Sequence, residues 1–336
     1  MLIKATTPTR IDLAGGTLDL YPLYLFEEGG LTVNCAINMY CLVTLEPRND
    51  KQIHLTSIDL NIHEQFANID SISTAGPLEI VSRAVKFFRP GVGLNVTTEN
   101  RVVKGSGLGA SSSLLIATLA ALNELMNSVY SSDELIDFAA DIEAQCIRIP
   151  TGKQDYFAAV FGGVSALWFE VGGNQREDLL KDGDGIAELE NRIILSFTGA
   201  PRFSGATNWS MIKNYIDNNP GTLAGMKQIK ETAIAMRECI LARNWKEFAS
   251  VVNREWLNRR TLAEGVTNEQ VETVMRAARS AGALANKLCG AGGGGCMITC
   301  VEPQDRSRVE TALNAVGAQV LPFKIVKNGV KVERIP

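Results

Sequence analysis

The chain has 336 residues, 46% of them hydrophobic, with 33 basic and 37 acidic side chains and a formal charge of −4. This is enough apolar material for a large core and, at about 100–200 residues per domain, for two domains. The near-balanced charge carries no long block of either sign, which excludes the footprint of a nucleic-acid binder, and no apolar run reaches the ~20 residues that span a bilayer.

Taken in chain order, apolar runs and period-two alternation predict strands over "LIKATTPTRIDLAGG" (2–16), "LTVNCAINMYCLVTLEP" (31–47), "GLNVTTENRVV" (93–103) and "GGVSALWF" (162–169). Helical spacing is expected over 78–89, 110–127 and 132–147, with Ser131 or Ser132 as a cap. A polar stretch, "VGGNQREDLLKDGDG" (171–185), separates this half from the next, so the domains are expected at 1–185 and 186–336. Then come a strand, "RIILSFTG" (192–199), and a long helical region over 203–282 with breaks at "NNPGT" and "LARNWKE". The tail returns to alternation in "ALANKLCG" and "GCMITCV", passes through a helix in "DRSRVETALNAVG", and ends on "QVLPFKIV".

The N-terminus lacks the basic, apolar and small-residue series of a secretory leader, so a cytoplasmic protein with no membrane partner is expected. Seven scattered cysteines, never paired as C-x-x-C, read as reduced buried thiols. The only histidines, His54 and His63, lie in one segment away from every glycine loop, which argues against a metal centre built on His and Cys.

The chemistry centres on "GSGLGASSS" (105–113). No Gly-Lys-Ser/Thr occurs anywhere, so this is not a Walker A loop. The glycines run G-x-G-x-G into serines, a poor match to the dinucleotide fingerprint. What remains is a strand, a glycine loop and a helix starting near Ala110 to Ser112, whose unpaired amides and dipole favour an anion. A serine hydroxyl at that entrance can reach a phosphate or Mg²⁺.

Two further segments belong with it. "PTRIDLAGGTLDLYPLY" carries Arg10 and Asp12 into a glycine turn followed by Asp19. "NKLCGAGGGGCMI" places five glycines in the six residues 290–295, too costly in entropy for a mere turn.

In this order the three segments resemble the three motifs of the GHMP kinases, over essentially the whole chain. "IPTGKQDYFAAVFGG" (149–163) is similar to the catalytic segment of the sugar 1-kinase branch, which includes heptose 7-phosphate kinases and the fucokinase-type kinase domain. The resemblance implies an α+β, two-domain fold: an N-terminal domain like ribosomal protein S5 and a ferredoxin-like C-terminal domain with added helices. It implies ATP and Mg²⁺ as cofactors, with Lys104, Gly105, Ser106, Gly107, Leu108, Gly109, Ala110, Ser111 and Ser112 around the ATP phosphates. Ser111 and Glu143 would hold the metal.

By the same resemblance Asp155 is the catalytic carboxylate with Arg10 beside it, and Gly15, Gly16, Thr17, Asp19, Gly292 and Gly293 meet the substrate. With no histidine in any motif, Asp155 is the expected general base. Lys153 and Arg202 are expected to grip an anionic substituent. The implied reaction is transfer of the γ-phosphate to a hydroxyl of a sugar or sugar phosphate, the anomeric hydroxyl of a heptose 7-phosphate fitting best. Fucose, galactose, a uronic acid, a mevalonate-type acceptor or a catalytically silent ATP sensor stay open. A monomer or homodimer is expected. The chain departs from the branch pattern A-G-G-G-T-D by reading "AGGTLD", with Thr17 in place of the third glycine and Leu18 in place of the threonine.

Overall fold

The computed structural model describes residues 1–199 and 204–336. Strand β1 (Leu2–Ala14) runs out to a turn and the one-turn helix α1 (Leu23–Phe26), then returns antiparallel as the long β2 (Gly30–Arg48). Strands β3 (Ile53–Ser57) and β4 (Ile62–Phe66) form a hairpin. Helix α2 (Glu79–Phe88) then leads to β5 (Gly93–Asn100), which pairs with β2 on one side and in parallel with β3 on the other.

Three helices follow: α3 (Ala110–Leu125), α4 (Ser132–Ile147) and α5 (Gln154–Phe161). Ser131 caps α4 through a capping box with Glu134, as the "SSDE" stretch predicts. Strands β6 (Val164–Glu170) and β7 (Gly173–Asp178) complete this half, β6 pairing with the first part of β2.

The second half opens with α6 (Gly183–Arg192) and β8 (Ile193–Phe197). Helices α7 (Ser204–Ile216), α8 (Pro220–Leu241), α9 (Trp245–Arg259) and α10 (Glu269–Ser280) precede β9 (Ala285–Leu288) and β10 (Cys296–Cys300). Helix α11 (Arg306–Ala315) and β11 (Gln319–Leu321) close an antiparallel sheet in the order β11-β8-β10-β9. That is the β-α-β-β-α-β arrangement of a ferredoxin-like domain, its first crossover holding four helices, α7 to α10, where the motif has one. The last strand, β12 (Lys331–Ile335), returns to the first sheet and pairs with β1.

Strand β1 shows why the site lies where it does. Its first residues alternate in burial, whereas Thr7 to Ala14 are buried on both faces. One core joins Ile11, Leu13 and Val33 to Met236, Ile240 and Phe248 of α8 and α9, with Ile298 of β10; a second packs Val43 and Leu45 under Leu115, Leu119 and Leu122 of α3. Each such leucine contributes about 1.5–3 kcal/mol on burial. The end of β1 is therefore clamped between both halves of the chain.

Several elements differ from expectation. Strands β4, β7 and β12 are edge strands of half-exposed polar composition, "IHEQF", "GNQRED" and "KVERI", so their apolar alternation is weak. Pro322, which has no N–H to donate, follows the short β11 inside the stretch expected to form one final strand. The helical region breaks a third time, over 260–268, where Gly265 takes a φ of 78°. The division expected at 185/186 falls within α6, and β12 crosses back over it.

Candidate active site

A cleft of about 340 Å³ is lined by both halves of the chain. Its first wall is the 105–112 loop. Gly105, Gly107 and Gly109 take left-handed φ values of 73°, 75° and 74°, a series that glycine sustains without a Cβ penalty. Gly109 is the N-cap of α3 and has no side chain to offer the helix, so the amides of Ala110, Ser111 and Ser112 find no acceptor among the described residues. The first engaged amide is that of Ser113, which donates to Gly109 O at 2.9 Å. Open amides at a helix N-terminus suit phosphate oxygens.

The glycine-rich 290–295 segment supports that loop from behind. The Cys296 amide donates to Ser106 O at 2.6 Å, and a Cβ on Gly295 would lie 2.6 Å from Ser106 O and 2.8 Å from Gly105 O. Backbone packed this closely on backbone leaves no room for a side chain, which is why glycine stands there.

Carboxylates gather at the junction of the walls. Asp155 sits in the first turn of α5 and forms an ion pair with Arg10 of β1. Arg10 is itself fixed: Nη1 donates to Gly107 O at 2.8 Å and its amide to Leu108 O at 3.1 Å. Burial alone would lower the Arg10 pKa; Asp155 and Asp12 nevertheless hold it above the usual value. Gly109 is constrained here too, since a Cβ on it would fall 2.8 Å from Asp155 Cγ.

Glu143, buried on α4, accepts from Ser112 Oγ at 2.7 Å and from Tyr156 OH at 2.5 Å through Oε2. Burial pushes its pKa up, and the hydroxyls of Tyr156, Ser112 and Ser111 pull it part of the way back. No group of three or more His, Cys, Asp or Glu gathers as a cage among the described residues. One carboxylate beside a phosphate loop fits Mg²⁺, which takes one or two carboxylates together with substrate phosphates.

The second wall follows β1. Gly15, Gly16 and Thr17 turn the chain, with φ values of 81° at Gly15 and 82° at Thr17. Asp19 then accepts the Thr17 amide at 3.1 Å and the Gln154 amide at 3.0 Å. Burial raises its pKa to about 6. Gly152 passes so close that a Cβ on it would lie 2.2 Å from Asp19 Oδ2.

Under this wall lie fully buried charges. Lys287 of β9 meets Asp12 at 2.8 Å, and Arg259 meets Glu255 at 2.6 Å. Although burial opposes it, Lys287 and Arg259 hold the Asp12 carboxyl below its usual range.

Of the residues expected from the sequence, Arg10, Gly16, Thr17, Asp19, Gly105, Ser106, Gly107, Gly109, Ala110, Ser111, Ser112, Glu143 and Asp155 line one cleft. Leu108 is buried and contributes its carbonyl to Arg10. Others lie elsewhere. Lys104 is exposed and outside the lining, and Gly15 packs against Leu31 O and Ala233. Gly292 and Gly293 pack on Val266, the Gly293 amide donating to its carbonyl at 2.6 Å, while Gly290 and Ala291 reach the cleft. Lys153 turns away to Asp137 at 2.6 Å. Arg202 lies outside the described residues.

Sequence reasoning missed Tyr156, Gln154, Lys287, Glu255 and Arg259, and it named Asp12 beside Arg10 without giving it a role in the site. Tyr156 and Gln154 adjoin Asp155 and were within reach of the "KQDY" segment. The charged residues carried no signal for burial, because charges in a strand or helix ordinarily lie on a surface.

Two family models match this chain, GHMP kinases N terminal domain over residues 79–163 and GHMP kinases C terminal over 236–319. The D-glycero-alpha-D-manno-heptose 7-phosphate kinase of Campylobacter jejuni is 31% identical over 339 residues, covering 99% of each protein. The chain belongs to the GHMP kinases. It is accordingly an ATP-dependent phosphotransferase of the sugar-kinase type. A crystal structure of a D-glycero-D-manno-heptose 1-phosphate kinase from Bacteroides thetaiotaomicron matches this GHMP kinase with a TM-score of 0.80 at 27% identity, over 99% of both chains. The mevalonate kinase of Thermococcus onnurineus is 25% identical over 358 residues, covering 100% of this chain and 99% of its own. No helix among the described residues is long and apolar enough to cross a membrane.

Proposed function

We propose that this GHMP kinase transfers the γ-phosphate of ATP to the anomeric hydroxyl of a sugar phosphate of the heptose 7-phosphate class. The observation that carries the reading is the position of Asp155. It is paired with Arg10 at the junction of the wall of open amides and the wall that bears Asp19.

Phosphoryl transfer asks mainly for alignment and for neutralisation of charge. The Ala110, Ser111 and Ser112 amides bind the phosphates, and Arg10 offsets charge that develops on the transferring group. Asp155 accepts the proton of the acceptor hydroxyl as transfer proceeds. An anomeric hydroxyl is more acidic than an ordinary alcohol, so a carboxylate suffices as its base.

Glu143 and Ser111 would hold Mg²⁺, whose charge neutralises the phosphates when it is bound. Tyr156 and Ser112 fix the Glu143 carboxylate for that purpose. Asp19 orients the sugar by accepting its hydroxyls. Arg202, which the sequence offers for an anionic substituent, is kept as the candidate for the far phosphate of the acceptor, and Lys153, engaged by Asp137, is not.

The test is ADP release from Mg-ATP against a panel of heptose 7-phosphate, fucose, galactose and uronic acids, with mevalonate as outgroup and Asp155→Asn as control. Turnover of the heptose phosphate that is lost in the control supports the reading. Turnover of mevalonate alone, or full activity in Asp155→Asn, would refute it.

A further inference from the structure

Thr17 lines the cleft with a φ of 82°, an outlier for a β-branched residue that only surrounding structure can maintain. That structure comes from α9. Arg259 Nη2 donates to Gly16 O at 2.6 Å and Nη1 to Thr17 Oγ1 at 3.1 Å. The guanidinium is anchored in turn: Nη2 and Nε reach Glu255 Oε1 at 2.6 and 3.1 Å, and Glu255 Oε2 accepts from Thr232 Oγ1 of α8 at 2.9 Å. Arg259 and Glu255 are fully buried, and neither lines the cleft.

We propose that Arg259 is a positioning residue for the acceptor: it holds the 15–19 turn in its left-handed form and so aims the Asp19 carboxylate into the cleft. The route is short. The Thr17 amide donates to Asp19 Oδ1 at 3.1 Å while the Gln154 amide holds Oδ2 at 3.0 Å, so the carboxylate is directed from both ends. A shift of Thr17 releases one of them.

Arginine suits the task because its planar fork meets two acceptors at once, which a lysine ammonium on a flexible stem does not. A buried ion pair is a poor device for stability compared with apolar packing. Its place directly beneath a strained turn gives it a conformational purpose. It also ties the acceptor wall to α8 and α9, elements of the second half of the chain.

The kinetic consequence rests on the proposed acceptor chemistry; the structural part is read without any acceptor, by hydrogen exchange. Arg259→Lys is the test variant, because it keeps a cation opposite Glu255 and removes the fork. In the folded variant, exchange over residues 15–20 is expected to rise about tenfold, as the turn opens locally. The KM for the acceptor is expected to rise about tenfold while that for ATP stays within about twofold.

Unchanged exchange at 15–20 or equal rises in both KM values would overturn the proposal. Should Arg259→Lys fail to fold, Glu255→Gln loosens the same guanidinium from its anchor and is read in the same way. If wild-type protein phosphorylates no sugar while exchange at 15–20 still rises in Arg259→Lys, the acceptor assignment fails and the latch on the turn stands.

Discussion

The two walls of the cleft are built in opposite ways. The donor wall is contiguous: residues 105–112 provide the left-handed turn, the open amides and the serine hydroxyls, with backbone at Gly295 and Cys296 behind them. The acceptor wall is assembled from Thr17 and Asp19 after β1, Gly152 and Gln154 before and at the start of α5, and Arg259 and Glu255 on α9. Backbone recognition of phosphate needs little more than glycines and a helix end, whatever the acceptor. Recognition of one acceptor among many needs side chains from distant segments.

Asp155 belongs to both walls, so its removal should have the largest effect. Asp155→Asn is expected to lower kcat by about 10²–10⁴-fold, with ATP affinity within about threefold, as measured by turnover and by nucleotide titration. A matching loss of ATP affinity would make it part of the donor wall alone. Next in size is Tyr156→Phe, which frees the Glu143 carboxylate from the tyrosine hydroxyl. It should raise the Mg²⁺ concentration for half-maximal rate by about 10–100-fold, with kcat restored at saturating metal.

A smaller effect should be confined to the donor wall. Gly295→Ala puts a methyl group where Ser106 O and Gly105 O already lie, at a φ of 82°. The KM for ATP should rise about tenfold and that for the acceptor should stay near wild type. An equal rise in both would show that the walls are not independent.

The smallest effect is on the acceptor side. On the proposed reading Asp19, whose pKa burial raises to about 6, accepts sugar hydroxyls best as a carboxylate. The acceptor KM should therefore rise about fourfold between about pH 7.5 and about pH 5.5, without a parallel change for ATP, and Asp19→Asn should abolish that dependence. The stability sign is opposite. A carboxyl whose folded pKa exceeds its unfolded value stabilises fully below the unfolded value and loses that contribution as pH rises through about 6. Thermal unfolding of Asp19→Asn should accordingly gain on wild type above that pH.

This contrast also governs how much could be read from the sequence. The donor wall was legible because glycines, serines and an apolar helix lie side by side in "GSGLGASSS", each with a local reason to be there. Helices α3 and α4 and strands β1 and β2 followed from periodicity and caps, and the ferredoxin-like order followed from the family resemblance. Asp12, Glu255, Arg259 and Lys287 were not legible. Each is a charge of the kind that ordinarily faces solvent, and only the approach of α9 and β9 to β1 buries it. Thr17 was visible as a departure from the branch pattern, but its left-handed backbone and its tie to Arg259 are properties of the fold. Lys153, expected at the substrate, faces Asp137 because spacing along a chain does not say which way a side chain turns.

The most direct test of the account is the position of the transferred group. Wild-type protein given Mg-ATP and D-glycero-D-manno-heptose 7-phosphate should yield a product whose new phosphorus signal couples to the anomeric proton in a ³¹P–¹H correlation spectrum. A new phosphate on any other carbon, or no product under conditions where mevalonate is phosphorylated, would contradict it.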